Sequence, residues 1–415
     1  MKAIVNIVRV LVGVLFIFSG LIKADDPLGL SYKMKEFFEV WSDGLAHGSF
    51  FLNQFLINFF HFFHEHSLTL AVIMIAFEII AGAALLLGWQ MKFFSWFLLL
   101  LILFFTFLTG YAFLSRNPDG SLKFTNCGCF GDCIPLTVKT SFLKDIILTT
   151  LIGFLFWQRK NIQPLFSKEV STLSMPVVIF LSFGIQWYML TYLPVIDCLP
   201  FKKGKNIAAQ MKMPADAIPD STVITFVYEK QGKKVEFTSE NFPADFNDSV
   251  YKFVNRYDKV IRKGKNNEPP IKGFSLSGNS DADSTGIVLS QPYAVLMFCM
   301  DFSNPVSRWK DDFSKLYAEA KNKNIPVYIV TTRIEDAPGA LAGTSFADAP
   351  VFKCDFTAIR TAARVNPTIY LLKEGTIVDK QSYKRMSKIT SQVSSLPVQH
   401  TPMNQDMLPR QDSSN

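Results

Sequence analysis

Three cysteines lie within seven consecutive positions, at Cys127, Cys129 and Cys133, and they are half of the six cysteines in the chain. The short segment that holds them lies between two stretches that are hydrophobic enough to cross a bilayer. A structural disulfide stabilises most when it closes a long loop, and these residues enclose almost nothing. The cluster therefore indicates electron or disulfide chemistry at a membrane surface.

Disulfide exchange needs a thiolate that attacks, a partner sulfur and an electron acceptor. Cys127 and Cys129 flank Gly128, whose backbone freedom lets the chain fold tightly enough to bring the two sulfurs together. We expect a strained and therefore oxidising bond between them, with Cys133 as the third, resolving thiol. Two other interpretations stay open: a buried or structurally paired cluster, and a zinc site that would recruit a fourth ligand from elsewhere. We favour the redox centre, without a metal, over both.

The composition indicates a membrane part followed by a soluble part. The chain has 415 residues, of which 49% are hydrophobic and 40 are Phe, and the apolar excess is confined to the first half. The second half is charged and rich in Lys, and the net charge of +7 is spread out, so we expect no nucleic-acid partner. The boundaries that we expect are a four-helix membrane domain at 1–160, a fifth membrane helix at 161–198, a β-rich linking region at 199–268, an α/β domain at 269–390 and a disordered tail at 391–415.

The membrane spans follow from their length, because about 20 apolar residues cross the hydrocarbon core. We expect spans at about 4–22, 68–89, 93–114, 142–157 and 175–193. The fourth is short and begins with Lys144 and Asp145. The Phe-rich segment 50–63 carries several polar residues, so we expect an interfacial or re-entrant helix there.

The basic residues at the span ends indicate the orientation of the protein. Lys2, Lys92 and the pair Arg159 and Lys160 fall on one side if the N-terminus is cytoplasmic. Five spans then place the cysteine segment and the whole C-terminal half outside the cytoplasm, where stable disulfide chemistry belongs. We therefore expect a multi-pass protein of the inner membrane with a periplasmic C-terminal domain.

The first 160 residues resemble a known family of membrane proteins. Segment 9–29, with its Ser19-Gly20 and Asp26-Pro27 pairs, is similar to the opening of DoxX-family membrane proteins. Its combination with a fifth span and a periplasmic tail resembles DoxX-like inner-membrane proteins of Bacteroidetes. Segment 126–131, between the third and fourth spans, resembles the related MauE branch, whose members assist disulfide formation. The resemblance implies a thiol–disulfide role with Cys127, Cys129 and Cys133 as the redox centre. Electrons would pass to a quinone or to a partner thiol protein.

Ionisable residues inside the expected spans are further candidates. Glu78 lies in the middle of the second span, where a carboxylate is costly unless it serves a pathway. Lys144 and Asp145 could pair with each other or with Lys23 and Asp26. A structural ion pair and a proton relay are equally compatible with these positions.

The soluble half resembles the thioredoxin fold in its TlpA-like or peroxiredoxin-like variety. The resemblance rests on a β-α-β order followed by two more strands, with Pro367 before the first of these and a Gly hairpin between them. It implies that Pro367 is the cis-proline of that fold. The family carries Cys-x-x-Cys after its first strand, but this chain has Asp301 to Val306 there, without a thiol. We therefore expect a degenerate domain that is inert as a conventional thioredoxin.

Three further cysteines lie in the second half. Cys299 and Cys354 follow core strands, and two outcomes are open: a non-standard redox pair, or buried free thiols, which are more common. Cys198 lies just beyond the fifth span, at the same membrane face as the cysteine segment, and could serve as a shuttle.

Two functions remain at this point. The first is an inner-membrane thiol–disulfide redox protein. The alternative is a non-catalytic assembly or scaffold protein, whose degenerate thioredoxin-like domain binds a periplasmic client and whose cysteines are structural.

Overall fold

The computed structural model describes residues 2–46, 52–117, 122–124, 126, 128, 130–164, 167–247, 249–262, 264–278 and 282–399. Cys127 and Cys129 lie outside these ranges, so the expected bond between them stays a prediction.

The first half of the described chain is helical. Its helices are α1 (Lys2–Asp25), α2 (Pro27–Ala46), α3 (Asn53–Glu65), α4 (Ser67–Leu87), α5 (Met91–Leu114), α6 (Val138–Trp157) and α7 (Lys168–Tyr192). Within the described residues, five helices are long and apolar enough to cross a membrane, namely α1, α4, α5, α6 and α7. These five helices confirm the expected spans, and α3 confirms a helix in the Phe-rich segment.

The fourth span begins earlier than expected. Helix α6 starts at Val138, where the Thr137 side chain caps it by accepting a hydrogen bond from the Thr140 N–H at 3.2 Å. The helix has 20 residues, so the prediction of a short span was wrong. Lys144 and Asp145 therefore lie inside the helix, about two turns from its start.

Helix α2 was not predicted from the sequence. It begins with Pro27, a residue that favours the first helical position because it lacks the N–H that would be unpaired there. Its buried residues recur every three or four positions among charged ones: Pro27, Ser31, Met34, Phe37 and Phe38. Residues 27–46 therefore form an amphipathic helix, although their mixture of apolar and charged residues did not indicate one in the sequence.

Helices α1 and α4 pack closely through glycine. A Cβ atom added to Gly82 of α4 would lie 2.9 Å from the Gly13 carbonyl oxygen and 3.0 Å from the Ile17 nitrogen, both backbone atoms of α1. Only small residues let membrane helices approach this closely. The contact holds the middle of α1 against the C-terminal part of α4.

The chain after α7 begins with a short helix, α8 (Ile207–Gln210), and a three-stranded antiparallel sheet. Its strands are β1 (Ser221–Lys230), β2 (Lys233–Thr238) and β3 (Tyr251–Arg262), in the order β2-β1-β3. Gln231 and Gly232 both have positive φ, as the tight hairpin between β1 and β2 requires. This hairpin confirms the expectation for 221–237, whereas β3 was not predicted.

The last part is an α/β domain around a five-stranded mixed sheet of order β6-β5-β4-β7-β8. Strands β4, β5 and β6 are parallel, and β7 and β8 are antiparallel to their neighbours. Its elements are α9 (Thr285–Leu289), β4 (Ala294–Phe298), α10 (Lys310–Asn322), β5 (Val327–Thr331), α11 (Ala337–Leu341), β6 (Val351–Lys353), α12 (Phe356–Ala362), β7 (Thr368–Lys373), β8 (Thr376–Ser382) and α13 (Met386–Ser395). Alternate residues of β4 point to two separate apolar layers, one on each face of the sheet.

Helix α13 corrects the expected start of the tail at residue 391. Met386, Ile389 and Val393 are buried against the sheet, and their spacing places them on one face of the helix. Because Ser, Thr and Gln surround these three apolar residues, the sequence did not indicate a helix there. Residues 400–415 lie outside the described ranges.

Candidate functional site

The cysteine loop, residues 126–137 between α5 and α6, is covalently joined to the chain beyond α7. Cys133 and Cys198 form a disulfide with a Cα–Cα distance of 5.0 Å and a sequence separation of 65 residues. We predicted that Cys133 is a resolving thiol for the neighbouring cysteines and that Cys198 could serve as a shuttle. Both roles stay predictions, but the structure pairs Cys133 with Cys198 rather than with a neighbouring cysteine of the loop. The physical reason is that α7 returns the chain to the end of the bundle where the cysteine loop lies. Both residues are half-buried, so solvent reaches this part of the loop.

The backbone of the cysteine loop turns tightly between its cysteines. Gly128 and Gly131 have φ values of 65° and 57°, which favour glycine, and the Gly131 N–H donates to the Gly128 carbonyl at 3.0 Å. Asn126 and Thr137 form an antiparallel bridge that closes the loop. Gly128 therefore has a backbone conformation that favours glycine, and the expected approach of the Cys127 and Cys129 sulfurs stays a prediction.

A cavity of about 90 Å³ lies inside the membrane bundle, next to the cysteine loop. Gly128 and Phe130 of the loop line it, together with residues from α1, α2, α4, α5 and α6. Its walls are mostly apolar, with Phe16, Met34 and Ile102 among them. The exceptions are four charged side chains, which are Lys23, Glu78, Lys144 and Asp145.

The first pair of charges joins α1 to α4. The Lys23 ammonium donates to both carboxylate oxygens of Glu78, at 2.6 and 2.8 Å, and to the Ser19 hydroxyl at 3.1 Å. Each side chain of the pair is only 5% exposed. Glu78 is therefore held as a buried ion pair, and its partner is Lys23.

The second pair lies on α6. Lys144 Nζ is 2.6 Å from Asp145 Oδ1, and the Thr109 hydroxyl of α5 donates to Asp145 Oδ2 at 3.0 Å. Of the two pairings that the sequence left open, Lys144 pairs with Asp145, whereas Lys23 pairs with Glu78. Asp26 pairs with neither lysine in the described structure, because Arg364 contacts it. The cavity therefore carries two cations and two carboxylates.

Arg364 of the α/β domain binds the membrane domain beside the cysteine loop. Its guanidinium donates to Asp26 Oδ2 at 2.8 Å and to Asp132 Oδ2 at 3.0 Å, and its side chain is 7% exposed. Burial lowers the pKa of Arg364, but Asp26 and Asp132 more than offset it and raise the pKa above its usual value. No motif in the sequence marked this arginine.

Further contacts hold the α/β domain and the segment before it against the membrane domain. The Val195 and Ile196 N–H groups donate to Asp25 Oδ1 at 2.9 and 3.1 Å, and Lys380 lies 2.5 Å from Asp197. The α/β domain is thus seated on the end of the bundle that bears the Cys133–Cys198 disulfide.

Polar side chains form a hydrogen-bond network at the edge of the α/β domain where the thioredoxin family carries Cys-x-x-Cys. The Asn366–Pro367 bond is cis, which confirms the expectation for Pro367. The Asn366 amide donates to the Asp301 carbonyl at 3.0 Å, and the Asn304 amide donates to the Asn366 carbonyl at 2.7 Å. Asparagine and aspartate therefore hold the positions near the cis-proline by hydrogen bonds.

Cys299 and Cys354 are free and buried, and they lie in the two different apolar layers of the sheet. Burial raises the pKa of each thiol to about 12. The non-standard redox pair is therefore not formed, and the alternative of buried free thiols is confirmed. Among the residues that the structure describes, no three His, Cys, Asp or Glu side chains are grouped as metal ligands.

Comparison with known proteins relates the membrane domain to a family. Residues 1–158, which extend from α1 to the end of α6, match the family described as methylamine utilisation protein MauE. This part of the chain is therefore similar to MauE/DoxX-like membrane proteins. Residues 222–263, which contain most of the three-stranded sheet, match a domain of unknown function, DUF8463. No curated protein and no solved structure matches the chain.

Proposed function

We propose that this protein is an inner-membrane thiol–disulfide redox protein. Its redox centre is the cysteine loop, with Cys127, Cys129 and Cys133, and Cys198 is the partner of Cys133. The observation that carries the proposal is the half-buried Cys133–Cys198 disulfide, which joins the loop to the segment entering the α/β domain. The match of the first 158 residues to the MauE family supports the same chemistry.

The exchange that we propose connects two cysteine pairs. A thiolate at Cys127 or Cys129 attacks the Cys133–Cys198 disulfide, one of these two sulfurs leaves as a thiolate, and a mixed disulfide forms. The second thiol of the Cys127 and Cys129 pair then displaces the other sulfur. The products are a Cys127–Cys129 disulfide and a reduced Cys133 and Cys198 pair, so two electrons have moved between the pairs.

The α/β domain binds rather than exchanges in this proposal. Its sheet order and its cis-proline at 367 support a thioredoxin-like fold, in which the edge near this proline meets partner proteins. Because that edge lacks thiols, we propose that it is a binding surface. Its partner is the membrane domain, or a periplasmic thiol or client protein. The basic residues at the span ends support a periplasmic position for this domain.

Redox titration of the purified full-length protein with mass-spectrometric thiol mapping tests the proposal. We expect at least two of the loop cysteines to cycle between thiol and disulfide. Replacing Cys133→Ser frees Cys198 and is expected to trap a mixed disulfide between Cys198 and another thiol. Replacing Cys354→Ser is the control, because that thiol is buried and should trap nothing.

One observation favours the scaffold alternative. A disulfide that closes 65 residues is long enough to stabilise the junction by limiting the unfolded chain, at about 4 kcal/mol in the chain-entropy description. A purely structural bond predicts lower abundance for each single replacement at 133 or 198, without trapped partners or a titrating pair. That pattern would contradict the redox proposal.

A further inference from the structure

We propose that the C-terminal end of α7 binds one anionic phospholipid. An acyl chain lies along the helix, and the phosphate lies on basic residues of the α/β domain. The inference goes beyond the proposed redox function and does not depend on it. Its basis is an apolar groove on α7 that leads, through aromatic rings, to a cluster of exposed cations.

The groove runs along one exposed side of α7. It is open, has a volume of about 660 Å³ and is lined by Pro176, Ile179, Phe180, Phe183, Gly184 and Trp187. Positions 180, 183, 184 and 187 recur every three or four residues, so they share one face of the helix. From position 176 to position 187 the helix rises by about 16 Å, which is close to half of the roughly 30 Å hydrocarbon core. The groove therefore has the length of an acyl chain in one leaflet.

Gly184 leaves space for such a chain in the groove. Among the described residues, no atom lies within 4 Å of a Cβ added at this position. Phe180 and Trp187, which lie on either side of it in the chain, are 76% and 63% exposed. The groove is therefore an open surface that an apolar ligand can cover.

Aromatic rings connect the groove to the α/β domain. The ring centroids of Trp187 and Tyr192 are 6.3 Å apart, and those of Tyr188 and Tyr192 are 5.0 Å apart. Arg385 Cζ lies 4.5 Å from the centroid of the Tyr192 ring, and the Arg385 guanidinium donates to the Tyr188 hydroxyl at 2.8 Å. Because Trp and Tyr favour the head-group level of a bilayer, Arg385 is held at the level of lipid phosphates.

The basic residues near Arg385 outnumber the carboxylate that they contact. Lys388, three positions beyond Arg385, lies 4.0 Å from the Asp379 carboxylate, and Lys203 contacts the same carboxylate. The Asp379 side chain is only 3% exposed, whereas those of Lys203 and Lys388 are 49% and 58% exposed. Lys384, which precedes Arg385 in the chain, is also exposed. These residues form a positively charged surface at the end of the groove.

An anionic phospholipid matches both parts of this site. Its phosphate accepts charge-assisted hydrogen bonds from guanidinium and ammonium groups, and its acyl chain covers the apolar groove. Lys and Arg clusters at a membrane surface attract anionic lipids for this reason. A second copy of the chain fits less well, because it would bring two positively charged surfaces together at the end of the groove.

Native mass spectrometry of the full-length protein in detergent tests the site. The probes are dioleoyl phosphatidylglycerol, dioleoyl phosphatidylcholine with the same chains, and glycerol phosphate, which is anionic but has no chains. We expect one phosphatidylglycerol molecule to bind at least about tenfold more tightly than either of the other probes. The reason is that only this lipid offers both a net negative charge and an acyl chain.

One set of variants tests the cations. Replacing Arg385→Gln together with Lys388→Gln should weaken phosphatidylglycerol binding at least about tenfold, because two cations near the phosphate are lost. Arg333→Gln with Lys315→Gln is the matched control, since both residues are exposed and their carboxylate contacts are 3.7 and 3.5 Å long. This control should bind the lipid as the unchanged protein does. Arg385→Lys retains the charge without the guanidinium and should retain most of the binding.

A second set of variants tests the groove. Gly184→Leu places a side chain in the groove and should weaken phosphatidylglycerol binding at least about tenfold, because acyl-chain contacts are lost. Gly153→Leu in α6 is the matched control, since an added Cβ there also has no described atom within 4 Å. Size-exclusion chromatography verifies that each variant is folded.

Three results would overturn the lipid site. The first is equal affinity for the two lipids, or equal affinity in the Arg385 and Lys388 variant and its control. The second is glycerol phosphate that binds as tightly as phosphatidylglycerol, because the groove would then contribute nothing. The third is a mass of two chains without bound lipid that is lost in Gly184→Leu, because a second copy would then cover the groove. These results do not depend on the cysteines, so the redox proposal can fail or hold separately.

Discussion

Side-chain direction decides the chemistry of the two cysteines in the α/β domain. Cys299 continues the alternation of β4 and joins the layer of Val295 and Met297, whereas Cys354 joins the opposite layer. A sheet separates the two sulfurs, so they cannot meet without unfolding of the domain. Both cysteines therefore act as small apolar residues in the core and not as redox groups.

Alkylation of the native protein should therefore leave both thiols unmodified. With a pKa of about 12, roughly one thiol in ten thousand is a thiolate at pH 8, and the remainder does not react. Since burial raises the pKa, labelling should increase with pH and become complete only in denaturant. Mass spectrometry after iodoacetamide treatment measures this, with denatured protein as the control. Rapid labelling of the native form at pH 8 would contradict the assignment.

At the scale of elements, the contact between α1 and α4 holds Lys23 and Glu78 together. Gly82 lies one turn beyond Glu78 on α4 and touches the backbone of α1 at Gly13 and Ile17. A side chain at position 82 must push the two helices apart. The ion pair beside the cavity therefore depends on a glycine that touches neither charge.

Replacing Gly82→Ala should destabilise the membrane domain by about 1–3 kcal/mol, as is typical of overpacking. Gly153→Ala in α6 is the matched control, because nothing lies within 4 Å of an added Cβ there. The control should leave the unfolding temperature in detergent unchanged or slightly higher, since alanine favours helix more than glycine does. Equal unfolding temperatures for the two variants would argue against the close packing.

The spans could be predicted from the sequence because a long apolar run is a local property. Helix α2 was not predicted because its apolar residues are spaced among charged ones. Strand β3 was not predicted because most of its residues are polar. The Cys133–Cys198 bond joins positions 65 residues apart, and local spacing carries no information about such a pair. Local patterns thus predicted the cysteine loop and the ionisable candidates, whereas their partners required the three-dimensional fold.

At the scale of the whole molecule, the orientation in the membrane remains a prediction. Lys2, Lys92 and the Arg159 and Lys160 pair should be cytoplasmic, with the cysteine loop and the α/β domain outside. After reduction, an impermeant maleimide should label Cys133 or Cys198 in intact cells, because both are half-buried. Labelling that occurs only after the cells are broken would reverse the orientation.

A disulfide and a buried guanidinium connect the membrane domain to the later part of the chain at the cysteine loop. The Cys133–Cys198 bond joins the cysteine loop to the segment after α7, and Arg364 contacts Asp132, which precedes Cys133 in the chain. Arg364 also contacts Asp26, the residue between α1 and α2. Docking of the α/β domain and the state of the cysteine loop should therefore be coupled through this arginine.

Replacing Arg364→Leu should loosen the junction while both domains stay folded. Loss of charge-assisted hydrogen bonds at a mostly buried site costs about 2 kcal/mol, which corresponds to about a thirtyfold faster local opening. Hydrogen exchange of the segments around Asp26 and around α12 measures this opening. Arg333→Leu is the matched control, because that arginine is 65% exposed and its contact with Asp336 is 3.7 Å long. If hydrogen exchange in the Arg364→Leu variant is no faster than in the control, Arg364 does not hold the domains together. In that case, reduction of Cys133–Cys198 should open the junction equally in the two variants.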